Sequence, residues 1–193
     1  MMNIRLKEYH GWYVENQAFF QALKSHQSVL YTRLHPVYDV LYFLYENNKD
    51  VIQLDEDVDR IMQIGLEFLH HQIFICKIYY EQFFEQDLHA FLKYDHVIND
   101  LLFIEDLKYE LVEQQIAYDQ TLLDALSEEL ETIITEKKDV PINLNLYVDK
   151  KISEIVSFDD GRFHSIIDIF VEIGSTLGLD LGQDVDIVFG EDL

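Results

Sequence analysis

A single cysteine, Cys76, leaves the chain without an intramolecular disulfide. Two prolines and seven glycines in 193 residues are too few for a fold built on tight turns, so long helices are expected. Basic residues are scarce as well: 14 Lys and Arg stand against 37 Asp and Glu, a formal net charge of -23. Phosphate contacts need clustered Lys and Arg, so direct nucleic-acid binding is disfavoured, and anionic membrane surfaces are disfavoured on the same ground. No uninterrupted apolar run approaches the ~20 residues that cross a bilayer. Met1 to Gly11 alternates charged and apolar side chains and lacks the apolar stretch of a secretion signal. A soluble, cytoplasmic protein without a membrane partner is expected.

Apolar side chains are not lacking. Hydrophobic residues make up 49% of the chain and aromatics 13%, mainly 13 Phe and 12 Tyr, enough to build a core despite the charge. The stretch Asp55 to Phe91 organises the rest. Val58, Ile61, Met62, Gly65, Leu69, Ile73, Cys76, Tyr80, Phe83, Phe84, Leu88 and Phe91 recur at steps of mostly three and four, the repeat of one helix face. As one helix it would be a rod of roughly 50 Å. Asp55, Glu56 and Asp57 suit its start, where carboxylates cap free amides and oppose the helix dipole. Residues 73–80 are apolar nearly all round, and helix is preferred to buried strand because neither flank resembles a turn.

Before this spine, a helical pattern runs from Lys7 to about Leu34. His35-Pro36 is expected to end it, and Pro36 to open a second helix that stops near Asn47-Asn48. After it, Lys93 to Asp95 reads as a break with Asp95 as N-cap. A helix then runs from His96 to about Lys138, kinked near Glu105-Asp106 or Tyr118-Asp119. Beyond Pro141, Ile142, Leu144, Leu146 and Val148 alternate with polar residues and Tyr147, which predicts a strand. Lys151 to Phe158 fits either a second strand of a hairpin or a short helix, the strand being preferred. A turn at Asp159-Asp160-Gly161, a helix from Phe163 to about Leu177 capped by Gly178, and a last strand over Asp184 to Phe189 complete the pattern. The expected fold is mainly α: a helical bundle around one long central helix over residues 1–139, with a small α+β appendage over 140–193 packed on it.

Catalytic chemistry finds little support. Glu67 and His70 have the Glu-x-x-His spacing of di-iron bundles, and His71 lies four residues after Glu67. Those bundles need the motif twice, and no second copy occurs. His89 follows Glu85 by four but would be ~27 Å from His71 on a straight helix. No metal and no cofactor is therefore expected. Glu67, His70 and His71, with Glu85 or His89, are the ligands of an alternative reading as a metal-dependent helical-bundle enzyme. Cys76 falls on the apolar stripe, where a thiol is an inert hydrophobe. Gly174, Gly178 and Gly182 follow a helix instead of opening one, so they form a cap and not a phosphate cradle.

One feature has a positive functional reading. Between residues 95 and 136 twelve acidic residues stand against one base, Lys108. Asp95, Asp100, Glu105, Asp106, Glu110, Glu113, Asp124, Glu128, Glu129 and Glu131 are the candidate partner-binding face. Carboxylates on a rigid rod imitate the regular charge of a nucleic-acid backbone and suit the basic groove of a nuclease or DNA-binding protein. In charge and size the chain is similar to small acidic inhibitors such as immunity proteins and phage-encoded blockers of nucleases. The expected function is non-enzymatic binding of a basic protein partner. A third reading is a structural subunit of an obligate complex, or a homodimer, with the apolar surplus at residues 73–84 buried in the contact.

Overall fold

The structure, a computed structural model, describes residues 2–156, 165–179 and 181. Among these the chain is mainly helical: α1 (Ile4–Ser25), α2 (Val29–Asn48), α3 (Glu56–Ile78), α4 (Leu88–Leu92), α5 (Asp95–Glu113), α6 (Gln120–Thr135), α7 (Leu144–Ile155) and α8 (Ile166–Thr176). The β pairing among the described residues is a single antiparallel bridge between Tyr118 and Val156. None of the described helices is long and apolar enough to cross a membrane. The chain groups into two compact units, Met1–Ile75 with Ile166–Leu193, and Cys76–Ser165, so the division falls inside the α3 sequence.

In the first unit α1 and α2 run antiparallel and are joined by an aromatic ladder. Tyr9 packs on Tyr45 and Phe20 stacks on Tyr38, with ring centroids 5.0 and 4.1 Å apart. Offset stacking and large buried area make such pairs strong core contacts. Burial raises the pKa of Tyr9 and Tyr38 well above the usual phenol range, with neighbouring tyrosines adding to the effect. The ends of both helices are specified locally. The Asn3 side chain accepts from the Arg5 amide at 2.8 Å, and the Ser28 hydroxyl accepts from the Leu30 amide at 3.2 Å. Between α1 and α2, Gln27 takes a positive φ of 53°.

α3 enters this core through Met62, Leu69 and Ile73, all buried. α8 closes it with Phe170. Gly65 marks the contact: a Cβ there would stand 2.7 Å from Phe170 Cζ and 2.9 Å from Leu41 Cδ2, so glycine lets the three helices approach. Gly178, at φ +81°, ends α8 as expected from its position, and the Leu179 amide returns to the Gly174 carbonyl.

In the second unit α5 and α6 pack through Leu101, Leu107 and Leu111 on one helix and Leu123, Leu126, Leu130 and Ile134 on the other, all buried. Leu144, Val148 and Ile152 of α7, at steps of four, add to the same unit. A second aromatic group, Phe84, Phe91 and Tyr94, fills the turn ahead of α5, with Phe84 stacked on Tyr94 at 5.4 Å.

Several expectations change. Pro36 does not divide two helices; it lies inside α2, where Leu34, His35, Pro36 and Val37 are all buried. Burying that run outweighs the missing amide, and the helix break moves back to Gln27 and Ser28. The 55–91 spine is not one rod. α3 passes into a π-helical turn, Tyr79–Phe83, then Glu85 and Gln86 adopt positive φ of 48° and 63°, and the Asp87 side chain caps α4 by accepting from the Ala90 amide. The kink expected near Tyr118-Asp119 is a full break, where Asp119 caps α6 through the Leu122 amide at 3.1 Å. Asp95 is the first residue of α5 and not its cap, which is Tyr94.

The expected hairpin strand over Ile142 to Val148 does not form: Ile142 and Asn143 are a turn, Leu144 to Val148 belong to α7, and so does Lys151 to Ile155. Alternation at every second residue contains a step of four, so Leu144 and Val148 satisfy both periods. The structure buries that pair and leaves Ile142 99% and Leu146 63% exposed. The turn at Asp159-Asp160-Gly161, Phe163 and the last strand over Asp184 to Phe189 lie outside the described residues.

Gly65→Ala is expected to lower stability by about 1–3 kcal/mol, the range for overpacking a filled core, although alanine is the better helix former. Urea unfolding checks this; an unchanged or raised midpoint would contradict the close approach of α3 to Leu41 and Phe170.

Candidate functional site

The predicted acidic residues divide between two helices of the second unit. Asp95, Asp100, Glu105, Asp106, Glu110 and Glu113 lie on α5, and Asp124, Glu128, Glu129 and Glu131 on α6. Asp95 is buried at the start of α5, where the helix dipole favours a carboxylate, so it does not contribute to an outer face. Asp124, Glu128 and Glu131 follow one another at steps of four and three and share a flank of α6. Lys108, the one base of the region, places Nζ 2.6 Å from Asp124 Oδ1. Asp106 and Lys108 are two residues apart, roughly 200° round the helix. The row Asp106, Glu110, Glu113 therefore occupies the side of α5 turned from Asp124.

Two tyrosines report on the carboxylates near the α5–α6 seam. Burial pushes the Tyr79 phenol up to about 12, and the charges of Glu131 and Glu105 add to it. Glu105 of α5 and Glu131 of α6 are thus both within electrostatic reach of Tyr79. Tyr147 of α7 donates to the Glu129 carboxylate, 2.8 Å from Oε2 and 2.9 Å from Oε1, and that hydrogen bond raises the Tyr147 pKa. Glu105 and Glu131 thus both act on Tyr79, Asp124 is tied to Lys108 of α5, and Glu129 is bonded to Tyr147 of α7. Asp106, Glu110 and Glu113 form a separate row, and Asp95 and Asp100 belong to neither.

A second feature was not foreseen from the sequence: a cleft of about 870 Å³ between α1 and α3 in the first unit. Arg5 Nε of α1 donates to Asp59 Oδ1 of α3 at 3.1 Å. Trp12, Leu66 and Phe74 supply apolar walls, and Glu15 and Glu67 are exposed along it. Glu67, His70 and His71, the residues of the metal reading, all line this cleft. Glu67 accepts from the Gln63 amide at 3.2 Å. Among the described residues no three His, Cys, Asp or Glu side chains stand close enough to hold an ion. Cys76 is buried. The signal that could have found the cleft is Gly11, a glycine inside a helical pattern whose missing side chain opens the α1 wall.

No family model matches this chain, and no curated protein and no solved structure is found similar to it.

Two outcomes follow. Tyr79 holds its proton more tightly folded than unfolded, since its pKa rises from 10.0 to about 12. Its contribution to stability is therefore complete below pH about 10 and is lost as pH rises toward about 12. Subtracting the tyrosinate absorbance titration of Tyr79→Phe from that of the native chain should reveal this late phenol. Glu105→Gln with Glu131→Gln should bring its ionisation earlier; no change would place those carboxylates elsewhere. Separately, Gly11→Ala should raise stability by about 1 kcal/mol in urea unfolding, because a Cβ at Gly11 meets nothing within 4 Å and alanine is the better helix former.

Proposed function

We propose that the chain is a non-enzymatic binding protein whose α5–α6 carboxylates engage a basic macromolecule, as an inhibitor, immunity-type or nucleic-acid-mimic protein that acts by steric and electrostatic blockade. One observation carries this reading. Lys108, the only Lys or Arg between residues 95 and 136, is already held by Asp124 at 2.6 Å, so α5 and α6 supply no second Lys or Arg side chain to Glu128 and Glu131. Asp124, Glu128 and Glu131 rise along α6 by about 6 and 4.5 Å. That row approaches the spacing of charges along a nucleic-acid strand, one every ~3.4 Å. Placed in the basic groove of a nuclease or DNA-binding protein in the cytoplasm, it would occupy the substrate's place without offering a bond to cleave. Long-range attraction from a chain of net charge -23 would speed the encounter.

Capture from the native cell followed by mass spectrometry identifies the partner, and titration of that partner at two salt concentrations tests the mechanism. Affinity should fall at least about tenfold between roughly 50 and 200 mM salt, since exposed charges more than a Debye length apart are screened. Glu105→Gln, Glu128→Gln and Glu131→Gln together should flatten that dependence. An affinity indifferent to salt would contradict the proposal.

A further inference from the structure

We infer that the α1–α3 cleft binds a small organic cation: one amine or amidinium on an apolar, preferably aromatic, body. This site stands independently of the α5–α6 reading. Its volume, about 870 Å³, falls within the ~300–1,000 Å³ typical of small-molecule pockets.

Gly11 is the first observation that points to an occupant. It sits in mid-α1, where glycine is the costliest residue apart from proline. Its φ is not positive, and a Cβ built on it meets nothing within 4 Å. Neither backbone conformation nor packing against the rest of the fold requires glycine, in contrast to Gly65. What the missing side chain does provide is an open wall, with backbone that a ligand can approach closely.

Gly11 of α1 lines the cleft together with Leu66 and Glu67 of α3, and Arg5 bonds Asp59 at 3.1 Å between the same two helices. Glu15 of α1 and Glu67 of α3 both line the cleft, one from each helix. An ammonium between these two carboxylates would leave its apolar body against Trp12, Leu66 and Phe74, the last 59% exposed. Glu15 makes no hydrogen bond or ion pair among the described residues, whereas Glu8 is held by Arg5 at 2.9 Å. The sign of the ligand follows from the chain's net charge of -23, which concentrates cations and repels anions. Lys7 also lines the cleft, about 12 Å from Glu15 along α1. It disfavours a second positive group there, so a single charge on an apolar body is preferred to a polyamine.

Trp12 is the chain's one tryptophan, so its emission reads the cleft directly. The full chain is titrated with phenethylamine, 3-phenylpropionate and spermidine, and circular dichroism confirms that each variant is folded. Phenethylamine should give a saturable change, with affinity at least about tenfold above that of the other two probes, as expected for one charge-assisted contact. Glu15→Gln with Glu67→Gln should weaken it at least about tenfold, and Gly11→Leu should abolish it by filling the wall. If Gly11→Leu does not fold, the carboxylate variant decides. No saturable response to phenethylamine, equal binding of 3-phenylpropionate or spermidine, or undiminished binding by a folded variant would overturn the site.

Discussion

Repulsion among 37 carboxylates, with 14 bases to offset them, is the constraint under which every helix here must form. A compact state brings like charges closer together, and the cost grows as the chain folds. Apolar burial on the opposite helix faces supplies the compensation. In the first unit that burial is aromatic and tight, from the Phe20–Tyr38 stack to the contact of α3 with Phe170 at Gly65. In the second it is mainly aliphatic, through the leucines of α5 and α6. Many of the charges also do local work. Asp87 and Asp119 cap helices, Asp95 sits at a helix start, and Glu8 and Asp59 hold Arg5. Glu128 and Glu131 of α6 are exposed, which is why a partner is sought for them.

Helix identity was legible in the sequence wherever a step of three and four ran for several turns, as in α1, α3, α5 and α6. Boundaries were less so, because they depend on competition between distant contacts. Pro36 reads as a helix break, yet burial of its neighbours carries α2 through it. Glu85 and Gln86 carry no turn signature and still take left-handed backbone between the π turn and α4. Residues 142–148 failed for a different reason. Their alternation is compatible with two periods, and only the packing of Leu144, Val148 and Ile152 in the second unit decides between them.

The candidate site was legible as density and not as shape. Counting acids between residues 95 and 136 finds the region, but cannot show that Lys108 is held by Asp124, that Asp95 is buried, or that Asp106 and Lys108 lie on opposite sides of α5. The α1–α3 cleft escaped for the same reason: Gly11 and Glu67 are far apart in sequence, and only the fold brings them to one cleft. Glu67, His70 and His71 were singled out for their spacing along one helix. In the structure they share the cleft with Trp12 and Phe74.

The central claim is that contact is made by the seam between α5 and α6. Hydrogen exchange on the complex with the captured basic partner tests it most directly. New protection should concentrate in residues 95–113 and 120–135, with α1 and α3 unchanged. Protection confined to α1 and α3, with α5 and α6 exchanging as in the free chain, would contradict it.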